Sequence, residues 1–61
     1  MFTIKGARNN VNLTQEQLAE KLGRGVNTIA NWERGTSSPD VVDAFKLAEV
    51  CGLAITDIIW A

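Results

Sequence analysis

The sequence predicts an all-α domain of five short helices packed around a single core. Three observations carry that prediction. Apolar residues recur at helical spacing, as in Leu18, Ala19 and Leu22, and no stretch sustains the apolar/polar alternation of a strand. Glycines at positions 23, 35 and 52 follow three such stretches, where helices commonly stop. The chain has 61 residues, close to half of them apolar, enough for one core and too few for a second.

The first helix is expected from about Thr3 to Val11, with Ile4, Ala7 and Arg8 on one face and Asn12 as its left-handed stop. Gly6 weakens it by about 1 kcal/mol relative to alanine. The second helix has the strongest start signal. Thr14 is an N-cap, Gln17 completes a capping box, and Leu13 and Leu18 stand where a hydrophobic staple forms. Leu18, Ala19 and Leu22 make its buried stripe, and Gly23 ends it. Ala19 is small where two steeply crossing helices bring their backbones together.

The third helix is expected from about Val26 to Arg34, ending at Gly35, with Ile29 and Trp32 inward and Asn27, Thr28 and Asn31 outward. Thr36, Ser37, Ser38 and Pro39 read as a loop. The fourth helix is capped by Asp40, has Asp43 near its positive end, and presents Val41, Ala44, Phe45, Leu47, Ala48 and Cys51 as its apolar side. Gly52 ends it, with Leu53 folding back on Leu47 or Ala48. A fifth helix, roughly Ile55 to Trp60, presents Ile55, Ile58 and Ile59.

Composition narrows the chemistry. There is no histidine and one cysteine, so an internal disulfide and a zinc site with standard ligands are excluded. The usual nucleophile–base pairs are missing too, and the carboxylates have capping or surface roles, so the chain reads as a non-enzyme without cofactor or metal. Cys51 reads as a small core residue, and Trp32 as core. The N-terminal MFTIKG is too short and polar for a signal peptide, and no apolar run approaches a membrane span. Cytoplasmic residence is therefore the expectation. Net charge is −1 but unevenly placed: residues 1–35 carry five basic and three acidic side chains, residues 36–61 one and four. The basic half is also the half in which two helices are joined by a turn too tight to leave them antiparallel. Asparagines on the outer face of the second of these suit the reading of DNA base edges.

The order and spacing of LTQEQLAEKLG at 13–23, TIANWERG at 28–35, Pro39 and LAEVCGL at 47–53 resemble the phage repressor/Cro-type (XRE-like) helix-turn-helix domains. The resemblance runs from Ile4 to about Ile59 and implies a lambda-repressor-like DNA-binding domain, here taken as residues 1–61. It places Val26, Asn27, Thr28, Ala30 and Asn31 on the major-groove face of the recognition helix. It matches Gln15 to a glutamine that grips a phosphate beside a helix N-terminus, and Arg34, Gly35 and the loop Thr36 to Ser38 to a backbone-contacting segment. With Arg24 added, the phosphate set is Gln15, Arg24, Arg34, Ser37 and Ser38. Arg8 and Glu33 match a partly buried ion pair.

The chain departs from the family pattern at three positions. Arg24 stands where an apolar residue is usual, which opens a phosphate contact. Gly25 replaces a Ser or Thr cap. Ala54 replaces the cap before the fifth helix, which predicts a late or frayed start. The implied function is sequence-specific binding of a double-stranded, palindromic DNA operator by a homodimer acting as a transcriptional regulator, with repression as the expected sign. The apolar Ile58-Ile59-Trp60 end is assigned to the dimer surface over simple core closure. The alternative is a protein-interaction module on the same fold, an antitoxin or regulatory subunit, which the acidic second half would serve.

Overall fold

The computed structural model describes residues 1–60. Four α-helices follow one another, α1 (Ile4–Asn10), α2 (Gln15–Leu22), α3 (Val26–Arg34) and α4 (Val41–Val50), and a 3-10 turn spans Ile55–Asp57. Among the described residues there is no strand beyond one isolated bridge. α2 is the centre of the arrangement: it packs on α3 and on α4, while α1 lies on α3.

All four helices end alike. The backbone N–H five residues beyond a last-turn carbonyl donates back to it: Leu13 to Arg8, Arg24 to Ala19, Thr36 to Asn31 and Leu53 to Ala48, at 2.9–3.3 Å. The residue just before each donor is left-handed, namely Asn12, Gly23, Gly35 and Gly52. This closure satisfies orphan carbonyls and reverses the chain within two or three residues. At Gly23, with φ +68°, the reversal sets α3 across α2 at once, and Ala19, buried in the crossing, is small enough to allow it.

Helix starts are equally explicit. Thr3 Oγ1 accepts the Gly6 N–H at 3.0 Å. Thr14 Oγ1 accepts the Gln17 N–H at 3.1 Å while Gln17 Oε1 accepts the Thr14 N–H at 2.9 Å, the reciprocal capping box. Asp40 Oδ1 accepts the Asp43 N–H at 2.8 Å. Only α3 begins without a side-chain cap, at Gly25. The core joins Leu18 and Leu22 of α2, Ile29 and Trp32 of α3, Leu47 of α4, and Cys51 just after it. Burial raises the Cys51 thiol pKa above its ordinary value.

Two expectations are corrected. The apolar side of α4 is rotated from the one assigned to it. Its buried residues are Asp43, Ala44, Leu47 and Ala48, whereas Val41 and Phe45 are 71% and 58% exposed. Both stand on the flank of the stripe that runs through positions 44, 47, 48 and 51.

The second correction is the fifth helix. In place of a helix to Trp60 there is a single turn; Ala54 brings no capping oxygen to it, and the Ala54 N–H donates to Asp57 Oδ2 at 3.1 Å. The chain then becomes extended at Ile58, which forms a parallel bridge with Phe2. Phe2 N–H donates to Asp57 O at 2.8 Å and Ile59 N–H to Phe2 O at 2.7 Å. The β-branched residues Ile58 and Ile59 are stiff at χ1 and favour that extended path. Trp60 is half-buried, with its indole N–H donating to Ile55 O at 2.8 Å. Between this tail and the start of α4 lies an apolar groove of about 440 Å³, lined by Pro39, Val41, Ala44, Ile58 and Trp60 among others.

Candidate nucleic-acid interface

α3 presents one face to the core and one to solvent. Ile29 and Trp32 are buried. Val26 and Asn27 are exposed, and Thr28, Ala30 and Asn31 are half-buried. Asn27 and Asn31 stand one helical turn apart on the side away from Ile29, Val26 and Ala30 are likewise one turn apart, and Thr28 lies at the margin next to Trp32. None of the five residues assigned to base contact is buried.

Side-chain bonds fix parts of that face. Arg34 Nη2 donates to Asn31 Oδ1. An arginine has only donors to offer, so the Asn31 amide oxygen is the atom that faces Arg34, and its NH₂ is left out of that bond. Thr36 Oγ1 donates to the Asn31 carbonyl at 3.2 Å. Ser37 and Ser38 are exposed in the loop that follows.

The end of α3 is anchored by Glu33. Its Oε2 accepts from Arg8 Nε at 2.7 Å, and its Oε1 accepts from Arg8 Nη2 at 3.1 Å and Gln15 Nε2 at 3.0 Å. Arg8 also donates from Nη1 to Leu13 O at 2.8 Å. One carboxylate thereby ties α1, α2 and α3 together in a nearly buried site. Burial pushes the Glu33 pKa up. The hydrogen bonds from Arg8 and Gln15, with the charges of Arg8 and Lys5, outweigh it and hold the carboxyl below its ordinary value. Arg8 is correspondingly raised, chiefly by its bond to Glu33. Gln15 has one amide hydrogen engaged and a second free at the start of α2.

Arg24 has a different surrounding from the open one assumed for it. Its Nε donates to Asp43 Oδ1 at 3.1 Å and its Nη2 to Asp43 Oδ2 at 2.9 Å. The Arg24 side chain is 46% exposed while the Asp43 side chain is 6% exposed. Sequence reasoning missed this partner. The signal was an acid on the core stripe of α4, which needs a cation, together with an arginine at a position that usually packs.

Among the described residues no group of acids and cysteine could hold a metal ion, and no helix is long and apolar enough to cross a membrane. The helix-turn-helix family model matches residues 4–58. An uncharacterised HTH-type transcriptional regulator of Methanocaldococcus jannaschii is 49% identical over 47 residues, 77% of this chain and 71% of that protein. A similar regulator of Archaeoglobus fulgidus is 40% identical over 90% of this chain and 78% of its own length. The cryptic phage CTXphi transcriptional repressor RstR of Vibrio cholerae is 36% identical over 92% of this chain, which spans only half of that protein. Two short helices crossing at Gly23, the second with an amide-bearing outer face, agree with these likenesses. The chain belongs to the helix-turn-helix family of DNA-binding transcriptional regulators.

Proposed function

We propose that the whole chain, residues 1–61, acts as a DNA-binding domain that lays α3 in the major groove of an operator and represses transcription there by blocking polymerase. The observation that carries this reading is the outward face of α3, where Asn27 and Asn31 stand one turn apart on a helix fixed by Ile29, Trp32 and the Glu33 tie. An α-helix fits the major groove, and an asparagine amide matches the N7 and N6–H of adenine. Val26, Thr28 and Ala30 complete the base-reading set through contacts with base edges and thymine methyls.

Gln15, Arg34, Ser37 and Ser38 flank that face and bear on phosphates. Gln15 does so with its free amide hydrogen, next to the positive end of α2. Arg24, by contrast, is paired with Asp43 through Nε and Nη2. The site is cytoplasmic, where the operator is.

Binding is as a homodimer on a palindrome, with half-sites roughly 34 Å apart. The second copy covers the face formed by Val41, Val42 and Phe45 of α4 and the groove beside it. Large apolar side chains exposed there stand next to an apolar hollow. A ridge beside a hollow is self-complementary under a twofold axis.

The test is a selection of bound sequences from random duplex DNA, followed by titration of the selected site at two salt concentrations. A palindromic consensus and an affinity that falls steeply with salt are expected. No binding to any duplex at low salt, together with tight association with another protein, overturns the reading in favour of an interaction module.

A further inference from the structure

The turn between α2 and α3 is closed by backbone bonds on its α2 side and has no side-chain cap on its α3 side. Gly25 gives α3 no side-chain cap, and a Cβ at either Gly23 or Gly25 would meet nothing within 4 Å. The start of the recognition helix is therefore neither capped nor packed at these positions. The Arg24 guanidinium crosses from this turn to α4.

Both ends of that crossing are fixed. The Arg24 backbone N–H is bonded to Ala19 O at 2.9 Å, which sets where the side chain leaves α2. Asp43 is 4% exposed, and its own N–H is held by Asp40. Between them run two parallel hydrogen bonds, which fix orientation as well as distance because guanidinium and carboxylate are both planar forks. Drawing Arg24 off to a phosphate would strand a buried carboxylate, whose two oxygens both accept from that guanidinium.

We infer that Arg24 acts in DNA binding as a positioning residue, its bidentate pair with Asp43 clamping the α2–α3 turn to α4 so that the uncapped start of α3 stands in register with the groove. The inference rests on the proposed DNA reading, and it replaces direct phosphate contact as the role of Arg24. Its consequence is unusual for a basic residue near DNA: removing the acid that neutralises it weakens binding.

The experiment compares the parent, Asp43→Leu, Arg24→Met and the Arg24→Met/Asp43→Leu double variant by fluorescence anisotropy on the selected DNA over a salt series, at a temperature where each is folded by circular dichroism. Asp43→Leu is expected to weaken binding by about tenfold, within the range of coupling between touching residues, although it removes a negative charge and frees Arg24. The double variant, which replaces an ion pair by apolar side chains of similar bulk, is expected to return to within about threefold of the parent with the parent's salt slope. Tighter binding by Asp43→Leu overturns the inference. So does a double variant that stays weak with a slope shallower by about 0.9, the mark of one lost phosphate contact.

A DNA-free readout separates this inference from the reading beneath it. In Asp43→Asn, which keeps the shape of the side chain, amide exchange is expected to quicken at Thr28 and Ile29, whose N–H groups both donate to Gly25 O at the start of α3, and not at Leu18 or Leu22. If the parent binds no DNA while this local change appears, the DNA reading fails and the clamp stands. A uniform change across α2 and α3 overturns the clamp.

Discussion

The two ends of α3 are secured by opposite means. At its end, Gly35 closes the backbone in a left-handed turn and Glu33 accepts three hydrogen bonds from α1 and α2 in a nearly buried site. At its start, Gly25 supplies no cap, and the nearest tie is the half-exposed Arg24 reaching a carboxylate on α4. The end is held by local chain geometry and a dense knot; the start is held at a distance, by one residue pair. α3 is thus tied more densely at its end than at its start, and the start is where Val26 and Asn27 stand.

The contrast predicts a ranking of effects. Glu33→Ala strands Arg8 in a nearly buried site and is expected to cost about 3 kcal/mol in a urea unfolding curve, the lower part of the range for breaking a buried pair. Its base preference should be that of the parent wherever the protein remains folded. A variant of parental stability but altered preference would move Glu33 from scaffold to contact.

Acid should act through the same knot. The Glu33 carboxyl is held below its ordinary value in the folded chain, so the unfolded state takes up the proton first. The contribution is present in full above about pH 4.3, the unfolded value, and is lost as the pH falls through the lowered folded value. Stability measured against pH should therefore drop on the acid side in the parent and less steeply in Glu33→Gln. Equal acid slopes in the two proteins would contradict the assignment.

At the other end, Asp40→Ala removes the cap of α4 and loosens the turn that presents Asp43. A loss of about 1 kcal/mol is expected, visible as a fall in melting temperature. The smallest effect is a gain. Gly25→Ser restores the missing cap at a position with an ordinary backbone and open space around it. Its expected stabilisation is about 0.5 kcal/mol, from the cap and a less flexible unfolded chain. A loss there would show that the start of α3 is better held than the structure implies.

The same contrast separates what was legible in the sequence from what was not. Local signals translated directly: Thr14 with Gln17, Asp40, and the left-handed Asn12, Gly23, Gly35 and Gly52 all act within a few residues of themselves. The inward pair Ile29 and Trp32 followed from helical spacing. What failed was long-range or depended on rotation. Arg24 and Asp43 are nineteen residues apart, and nothing local to either names the other. Val41 and Phe45 were assigned inward by residue type, although the buried stripe of α4 passes beside them and takes in Asp43 instead. The tail was read as a helix because its isoleucines suit one face, but their branching and the missing cap at Ala54 favour one short turn and then pairing with Phe2.

The central claim is that the outward face of α3 reads bases, and Asn31→Ala tests it most directly. The selection from random duplex DNA is run on the parent and on this variant side by side. The same palindrome is expected, with preference lost at a single base pair of each half-site and a cost of about 1–3 kcal/mol on the parental site. An unchanged consensus bound with unchanged affinity would contradict it.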